Sequence, residues 1–298
     1  MPDLSALKER FGDRCLFDEP AANFTTYKAG GRAEAVVLPA TAEELLWLAG
    51  WCRAGGVPFL VLGRGSNVLV SDRGLPGVTA LTGRLSGITV ADGAAEAQAG
   101  ALWDDLARLT AEAGLAGLEK TSGIPGSVGG AAHMNAGAFG QETFDRLASV
   151  EAFDRSGAVV KLLKKDIRHG YRRAEGLDGL TILSVRFELQ PADAAVLIQD
   201  RSCVMAAREA KQPLDYPSAG SVFKRPPGDF ASRLIDAAGL KGRRIGGAQV
   251  SEKHAGFIIN AGGATAADLY ALMQEVRAAV KEKSGVTLEL EQILLGEF

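Results

Sequence analysis

Two glycine-rich tracts carry the residue types that could hold a phosphate or a flat ligand. In the first, Gly63-Arg64-Gly65-Ser66-Asn67, the glycines let the main chain approach an anion, and Ser66 and Asn67 add side-chain donors. It is not a dinucleotide fingerprint, because G-x-G-x-x-G needs glycine where Val68 stands and a strand-like run follows instead of a helix. A tight turn is the plain alternative. The stretch Gly114 to Thr121 matches G-x-x-x-x-G-K-[ST] except that Glu119 replaces the second glycine, adding bulk and negative charge where a triphosphate would lie. A P-loop is thereby rejected. Beyond it, Ser122 to Ala131 and Asn135 to Gly140 complete a tract in which residues 114 to 140 hold eight glycines. Such density lets main-chain groups line an extended ligand while Pro125 limits floppiness; a loop and helix packed closely in a core would need the same glycines.

Other chemistry is poorly supplied. His133, His169 and His254 have no mutual ligand spacing and no G-x-S-x-G elbow exists, so neither a metal site nor a serine hydrolase is expected. Cys15, Cys52 and Cys203 are widely spaced and odd in number, as small buried apolar residues in a reducing compartment would be. Between Lys211 and Lys253 eight basic residues face four acidic ones, a local +4 in a chain of formal charge -3. A phosphate-bearing small ligand fits this imbalance, and so does a solvated basic face. The whole chain, with 33 Lys and Arg against 36 Asp and Glu, offers no field to grip nucleic acid. The first twenty residues carry frequent charges and no apolar h-region, and no run of roughly 20 apolar residues occurs. The expectation is a soluble cytoplasmic protein without membrane contact.

The elements that must position these residues follow from pattern. With 298 residues, 47% of them apolar, the chain can bury two cores. A strand over 33–40, a helix begun by a Thr41/Glu44 capping box and a strand over 58–62 form a β-α-β opening that ends in the first glycine loop, and a further strand over 68–71 follows. A helix is expected over 103–113, a hairpin turning at Asp154 to Gly157, a strand over 181–189 and a helix over 192–211. Two prolines at 213 and 217 place a junction there. Beyond it come a helix over 230–238 stopped by Gly239, a strand over 256–260, a long helix capped by Thr265 and Asp268 and ended by Gly285, and a terminal strand over 287–294. In that strand Leu288 and Leu290 face one way and Glu289 and Glu291 the other, as on any exposed edge. The division expected is an N-terminal extension (1–20), a two-part α+β domain (21–190), a helix and linker (191–218) and a smaller α+β domain (219–298).

Seven segments in order resemble one family: Asn23 to Gly31, Leu62 to Leu69, Ser122 to Ala131, Asn135 to Ala138, Gly170-Tyr171-Arg172, Ala219 to Lys224 and Gly246 to His254. The family is UDP-N-acetylenolpyruvoylglucosamine reductase (MurB), and the run from Arg172 directly to the strand at 181 is similar to its shorter branch, which lacks an inserted substrate-capping loop. The resemblance implies a two-part FAD-binding domain of vanillyl-alcohol oxidase type and a smaller C-terminal substrate domain. It implies a monomer with non-covalent FAD and NADPH as hydride donor, reducing UDP-N-acetylglucosamine enolpyruvate to UDP-N-acetylmuramate for peptidoglycan and cell-wall synthesis.

By position, the resemblance makes Arg172 and Glu291 stabilisers of the charge that develops on the substrate carboxylate and Ser221 the proton donor to C2. It implies a raised pKa for Glu291, because a glutamate aids such charge only while holding a proton. FAD would be held by Tyr27, Leu62, Gly63, Arg64, Gly65, Ser66, Asn67, Val68, Ser122, Gly123, Pro125, Gly126, Gly129, Gly130, Ala131, Asn135 and Gly137. Tyr171, Lys224, Arg225, Gln249, Lys253 and His254 would meet the sugar nucleotide or NADPH phosphates. Around the terminal glutamate many members read Glu-Pro-Glu-Val-Arg where this chain has Glu289-Leu290-Glu291-Gln292-Ile293, and His169 and Ala174 replace the usual Phe and Ser. Two other functions compete: a flavin oxidoreductase acting on a hydroxy acid or sugar lactone, and a nucleotide-sensing module without turnover. The second should lack catalytic side chains, whereas Arg172, Ser221 and Glu291 are all present.

Overall fold

The helix Ala42–Gly55 starts where Thr41 leaves the extended conformation and its hydroxyl accepts from the Glu44 N–H at 3.2 Å, and it ends at Gly56 in the left-handed region. Only half of the expected capping box forms. The Glu44 carboxylate reaches back to the Ala40 N–H at 2.7 Å instead of to Thr41, and pairs with Arg14. The computed structural model describes residues 4–298; the first three residues of the expected N-terminal extension lie outside them. A short helix, Ser5–Phe11, precedes the first strand and buries Leu7 and Phe11.

The chain separates into two units. One comprises the chain up to Leu16, Ala35–Arg64 and Gly77–Arg208; the other comprises Phe17–Glu34, Gly65–Pro76 and Glu209–Phe298. The first unit holds an antiparallel five-stranded sheet in the order Val159–Leu163, Leu147–Phe153, Thr181–Glu188, Ala94–Gln98, Ile88–Ala91. Helices Trp103–Glu112 and Val128–His133 contribute Trp103, Leu106, Ala131 and Ala132 to its core with Val150, Val185 and Phe187. The same unit holds a parallel pair, with Phe59 opposite Val78 and Leu62 opposite Leu81, beside a second core of Leu45, Leu48, Cys52 and Val78. Burial pushes the Cys52 thiol up to about 12, as an inert packed thiol requires, and Cys15 is buried too, whereas Cys203, expected to be buried, is exposed on the helix Ala194–Lys211.

In the second unit the helix Ala266–Ser284 forms the full capping box foreseen for it, with Thr265 accepting from Asp268 N–H and Asp268 accepting from Thr265 N–H. Its buried stripe of Leu269, Leu272, Met273, Val276 and Val280 packs with Val250, Ile258 and the helix Ala231–Ala237. The terminal strand differs from expectation. It runs only over Ile293–Leu295, pairing in parallel with Val68–Val70, while Leu288 is buried, Glu289 exposed and Leu290 makes an isolated bridge to Phe223. The alternation at 288–291 is therefore that of a strand-like segment laid against Ala219–Lys224. Among the described residues no helix is long and apolar enough to cross a membrane, and no group of three or more His, Cys, Asp or Glu could hold a metal.

Candidate functional site

The first glycine loop is shaped by close packing. A Cβ on Gly63 would lie 2.0 Å from the Ser127 hydroxyl, and one on Gly65, at φ +59°, would lie 2.3 Å from the Phe24 carbonyl. Its main-chain bonds run through carbonyls: Gly65 accepts from Thr26 N–H at 3.1 Å and Asn67 accepts from Ile293 N–H at 3.0 Å. Among the described residues none of the N–H groups of Gly65, Ser66 and Asn67 donates to another main-chain carbonyl. Successive uncommitted amides about a left-handed glycine form an anion-binding nest, and that donor set suits a diphosphate. The Asn67 side chain is committed, donating to the Glu291 carbonyl at 3.2 Å.

In the first unit the second glycine tract is fixed by its neighbours. Asp104 accepts from Gly123 N–H at 2.7 Å and from Arg201 at 2.5 Å, Trp103 N–H donates to the Gly126 carbonyl at 3.0 Å, and the buried Ser122 hydroxyl donates to the Glu119 carbonyl at 2.7 Å. Pro125 is exposed, and Val128 and Gly129 N–H groups donate to the Ala101 and Ala99 carbonyls, seating the turn into the helix Val128–His133. Ser127 caps that helix by accepting from Gly130 N–H, and Ala131 is buried against the core. Glu119 is itself buried and accepts from Gly117 N–H at 2.6 Å, so the segment that mimics a P-loop fills its own turn. Arg208 is buried beside Gly123 with its guanidinium 5.8 Å from the Phe139 ring; burial lowers its pKa and Asp104 opposes that.

Arg172 sits in the same unit on the turn Gly170–Arg173, closed at both ends by bonds between Gly170 and Arg173 at 3.0 and 3.3 Å. Its φ of +55° lies where non-glycine residues are strained, an outlier of the kind that concentrates at functional sites. The half-buried guanidinium donates to the Gly137 carbonyl at 2.7 Å and the Asn135 carbonyl at 3.4 Å, and lies 5.0 Å from the exposed Tyr171 ring. Asn135 is buried, with its side chain bonded to Glu142, Gly170 and Phe144. The His169 ring stacks on Phe144, the ring centroids 4.2 Å apart.

In the second unit Ser221 follows Gly220, at φ +74°, and bridges to Phe257. Its half-buried hydroxyl has no hydrogen-bond partner among the described residues, so it is available to a ligand. Opposite it, Glu291 N–H donates to the Val222 carbonyl at 2.8 Å and Lys224 N–H to the Glu289 carbonyl at 2.9 Å, which brings Ser221 and Glu291 onto adjoining segments. Sequence reasoning missed the buried Gln292. Its amide donates to the Ala219 and Gly220 carbonyls at 3.0 and 3.3 Å and accepts from the Tyr27 hydroxyl at 2.9 Å. Tyr27, expected at the cofactor, is fully buried, and that burial drives its pKa upward, so its hydroxyl is a fixed donor within the chain. Gln292 does not announce itself in sequence, because its partners Ala219, Gly220 and Tyr27 lie 73, 72 and 265 positions away.

The expected phosphate ligands are partly engaged. Lys224 pairs with Glu289 at 3.6 Å, Lys253 donates to the Glu209 carbonyl at 2.6 Å, and the Arg225 guanidinium lies 4.6 Å from the Phe230 ring. Gln249 accepts from Arg244 at 2.8 Å and donates to the Gly242 carbonyl at 3.4 Å. His254 Nδ1 accepts from Gly256 N–H at 3.1 Å, and burial lowers its pKa, favouring the neutral ring protonated at Nε2. The local +4 already counts Asp236, which pairs with Lys241 at 2.9 Å, and is reduced by Glu275, outside that segment, which pairs with Arg243 at 2.5 Å.

Comparison with known proteins places these parts. The FAD binding domain family model matches residues 33–163, and that of the UDP-N-acetylenolpyruvoylglucosamine reductase C-terminal domain matches residues 212–295. The UDP-N-acetylenolpyruvoylglucosamine reductase of Lactococcus lactis is 44% identical over 282 residues, 94% of each chain, and that of Streptococcus pneumoniae is 45% identical over the same shares. The crystal structure of UDP-N-acetylenolpyruvylglucosamine reductase (MurB) from Thermus caldophilus superposes with a TM-score of 0.80 at 36% identity, covering 95% of this chain and 98% of that one.

Proposed function

The chain belongs to the UDP-N-acetylenolpyruvoylglucosamine reductase family, and from that premise we propose that it takes hydride from NADPH to reduce the enolpyruvyl group of UDP-N-acetylglucosamine enolpyruvate. The chain is an FAD-dependent oxidoreductase of peptidoglycan precursor synthesis, with an FAD-binding domain of vanillyl-alcohol oxidase type and a C-terminal α+β substrate domain. Bound FAD supplies the hydride chemistry, and the protein supplies binding, orientation and charge. The observation that carries the reading is likeness along nearly the full length of both partners in the comparison, which a shared cofactor domain alone would not produce.

The residues divide the work as follows. The nest at Gly65 to Asn67 holds a diphosphate, and the rigid tract Ser122 to Ala131, locked by Asp104 and Trp103, offers the cofactor a surface that does not yield. Arg172 binds the carboxylate conjugated to the enol ether, where negative charge grows as hydride adds at C3; a guanidinium fork suits that charge. Glu291 contributes a shared proton to the developing charge, and the Ser221 hydroxyl delivers the proton to C2. A serine can do this only for a strongly basic carbon, which is what C2 becomes. Lys224, Arg225, Gln249, Lys253 and His254 serve the nucleotide phosphates. We assign 21–190 to the cofactor, 219–298 to the substrate and 191–218 to the connection, in the branch without a capping insertion, working as a cytoplasmic monomer.

An anaerobic absorbance experiment tests this. The purified protein should carry flavin, bleach with NADPH and recover its oxidised spectrum when UDP-N-acetylglucosamine enolpyruvate is added. Bleaching without recovery would assign the flavoprotein to another acceptor, such as a hydroxy acid's oxidised partner, and absence of flavin from a folded sample would end the reading.

A further inference from the structure

Asn135 is 1% exposed and stands at φ +41°, a left-handed conformation that asparagine tolerates better than most residues. Every polar atom of its side chain has a partner. Nδ2 donates to the Gly170 carbonyl at 3.0 Å and to Glu142 Oε2 at 2.9 Å, and Oδ1 accepts from Phe144 N–H at 3.0 Å. This arrangement fixes the orientation of the amide, since only the nitrogen can face two acceptors. Its main-chain carbonyl accepts from Arg172 Nη1 at 3.4 Å, and Arg172 Nη2 donates to Gly137 two residues further on. Asn135 therefore grips the Arg172 turn twice, by the side chain at Gly170 where the turn begins and by the main chain at the guanidinium. A strained φ such as that of Arg172 persists only where the surroundings over-determine it, and this grip acts there together with the Gly170–Arg173 bonds that close the turn.

We propose that Asn135 is a positioning residue for Arg172, and that its side chain serves the substrate half-reaction instead of the cofactor. The assignment rests on Arg172 acting on the substrate carboxylate. Asn135→Asp keeps the size and the acceptor for Phe144 but loses the donor and sets a carboxylate against Glu142 and the Gly170 carbonyl. At pH 8, reduction of the bound flavin by NADPH should change by less than about twofold, while reoxidation by the enolpyruvyl substrate should slow on the order of 10 to 100-fold, the penalty of a misplaced catalytic group. Reoxidation should recover as pH falls towards 5, because a protonated carboxyl donates again; a role in packing alone would not produce that profile. Combined with Arg172→Ala, the substitution should slow reoxidation no further.

Equal loss in both half-reactions, loss of flavin, or additive effects with Arg172→Ala would overturn the proposal. Asn135→Gly, which keeps the positive φ and removes only the side chain, serves as the second variant if the first does not fold. A crystal structure separates this proposal from the reading beneath it. Displacement of the Gly170–Arg173 turn in Asn135→Asp supports the grip even if Arg172→Ala leaves reoxidation untouched, which would refute only the role of Arg172; an unmoved turn overturns the grip itself.

Discussion

Arg172 and Ser221 are presented by the same device, a turn containing a positive φ that is locked by a buried carboxamide. For Arg172 the amide is Asn135, and for Ser221 it is Gln292, which donates to the carbonyls of Ala219 and Gly220. A fully bonded buried amide holds geometry well because losing one partner leaves another polar atom desolvated and unpaired. Tyr27→Phe should therefore lower stability by about 1 to 3 kcal/mol in denaturant unfolding, since it strips the one donor to Gln292 Oε1 among the described residues while leaving the volume nearly unchanged. A neutral result would show that water takes the vacated place. Ser221→Ala bears on the chemistry. Flavin bleaching by NADPH should hold, and recovery with the enolpyruvyl substrate should slow by roughly 10² to 10⁴-fold, the usual worth of a positioned acid; equal slowing of both steps would remove Ser221 from the proton's path.

At the scale of elements, the helix Ala42–Gly55 shows how one carboxylate can serve two ends. Glu44 caps Ala40 and pairs with Arg14, and that guanidinium holds its carboxyl down to about 2. The folded pKa lies below the unfolded value of about 4.3, so the contribution is complete above roughly pH 5 and disappears as pH falls through 2. Glu44→Gln should cost about 1 to 2 kcal/mol at pH 7 and almost nothing near pH 2, read as converging urea midpoints of parent and variant; a pH-independent gap would mean that packing, not charge, holds the helix. Elements of this local kind were legible. The capping box at Thr265, the apolar stripe ending at Gly285 and the Asp154–Gly157 hairpin depend on residues within a few positions of one another. The strand Ala94–Gln98 was not read, because an alanine-rich segment has little strand preference; it is placed by Ile88–Ala91 across the turn at Asp92 and Gly93 and, far along the chain, by Ser184 to Glu188. The terminal strand was misjudged for the same reason: Ile293–Leu295 is defined by Val68–Val70. In the candidate site the turns that carry Arg172 and Ser221 and the segment opened by Asn135 could be read as motifs, whereas the grip of Asn135 on the Arg172 turn, and Gln292 altogether, could not, because each depends on partners set by the fold.

For the molecule as a whole, the path of the chain matters more than the count of domains. It crosses between the two units at Leu16/Phe17, Glu34/Ala35, Arg64/Gly65, Pro76/Gly77 and Arg208/Glu209, so neither unit is one continuous stretch. The segments 17–34 and 65–76 are structural parts of the second unit. Tyr27, Ala29 and Leu69 belong to its core, Val68–Val70 is the partner strand of Ile293–Leu295, Asn260 donates to the Tyr27 carbonyl at 3.0 Å, and Asp72 caps the helix Ala266–Ser284 through Ala266 and Ala267 N–H at 2.9 and 2.8 Å. A fragment spanning 209–298 would keep most of its apolar residues and lose a core aromatic, a strand and a helix cap together. Each loss costs on the order of 1 to 4 kcal/mol, against a total stability of about 5 to 15 kcal/mol for a whole domain. The fragment is therefore expected to show no cooperative thermal transition and little dispersion in its amide spectrum. In the full chain, Trp47, Trp51 and Trp103 all report on the first unit, and Tyr27, Tyr216 and Tyr270 on the second. Their fluorescence and near-ultraviolet transitions should coincide, because unfolding either unit pulls segments out of the other along the same chain. Cooperative folding of 209–298 alone, or separated midpoints for the two sets of probes, would show that the interleaved segments decorate the second unit without holding it together.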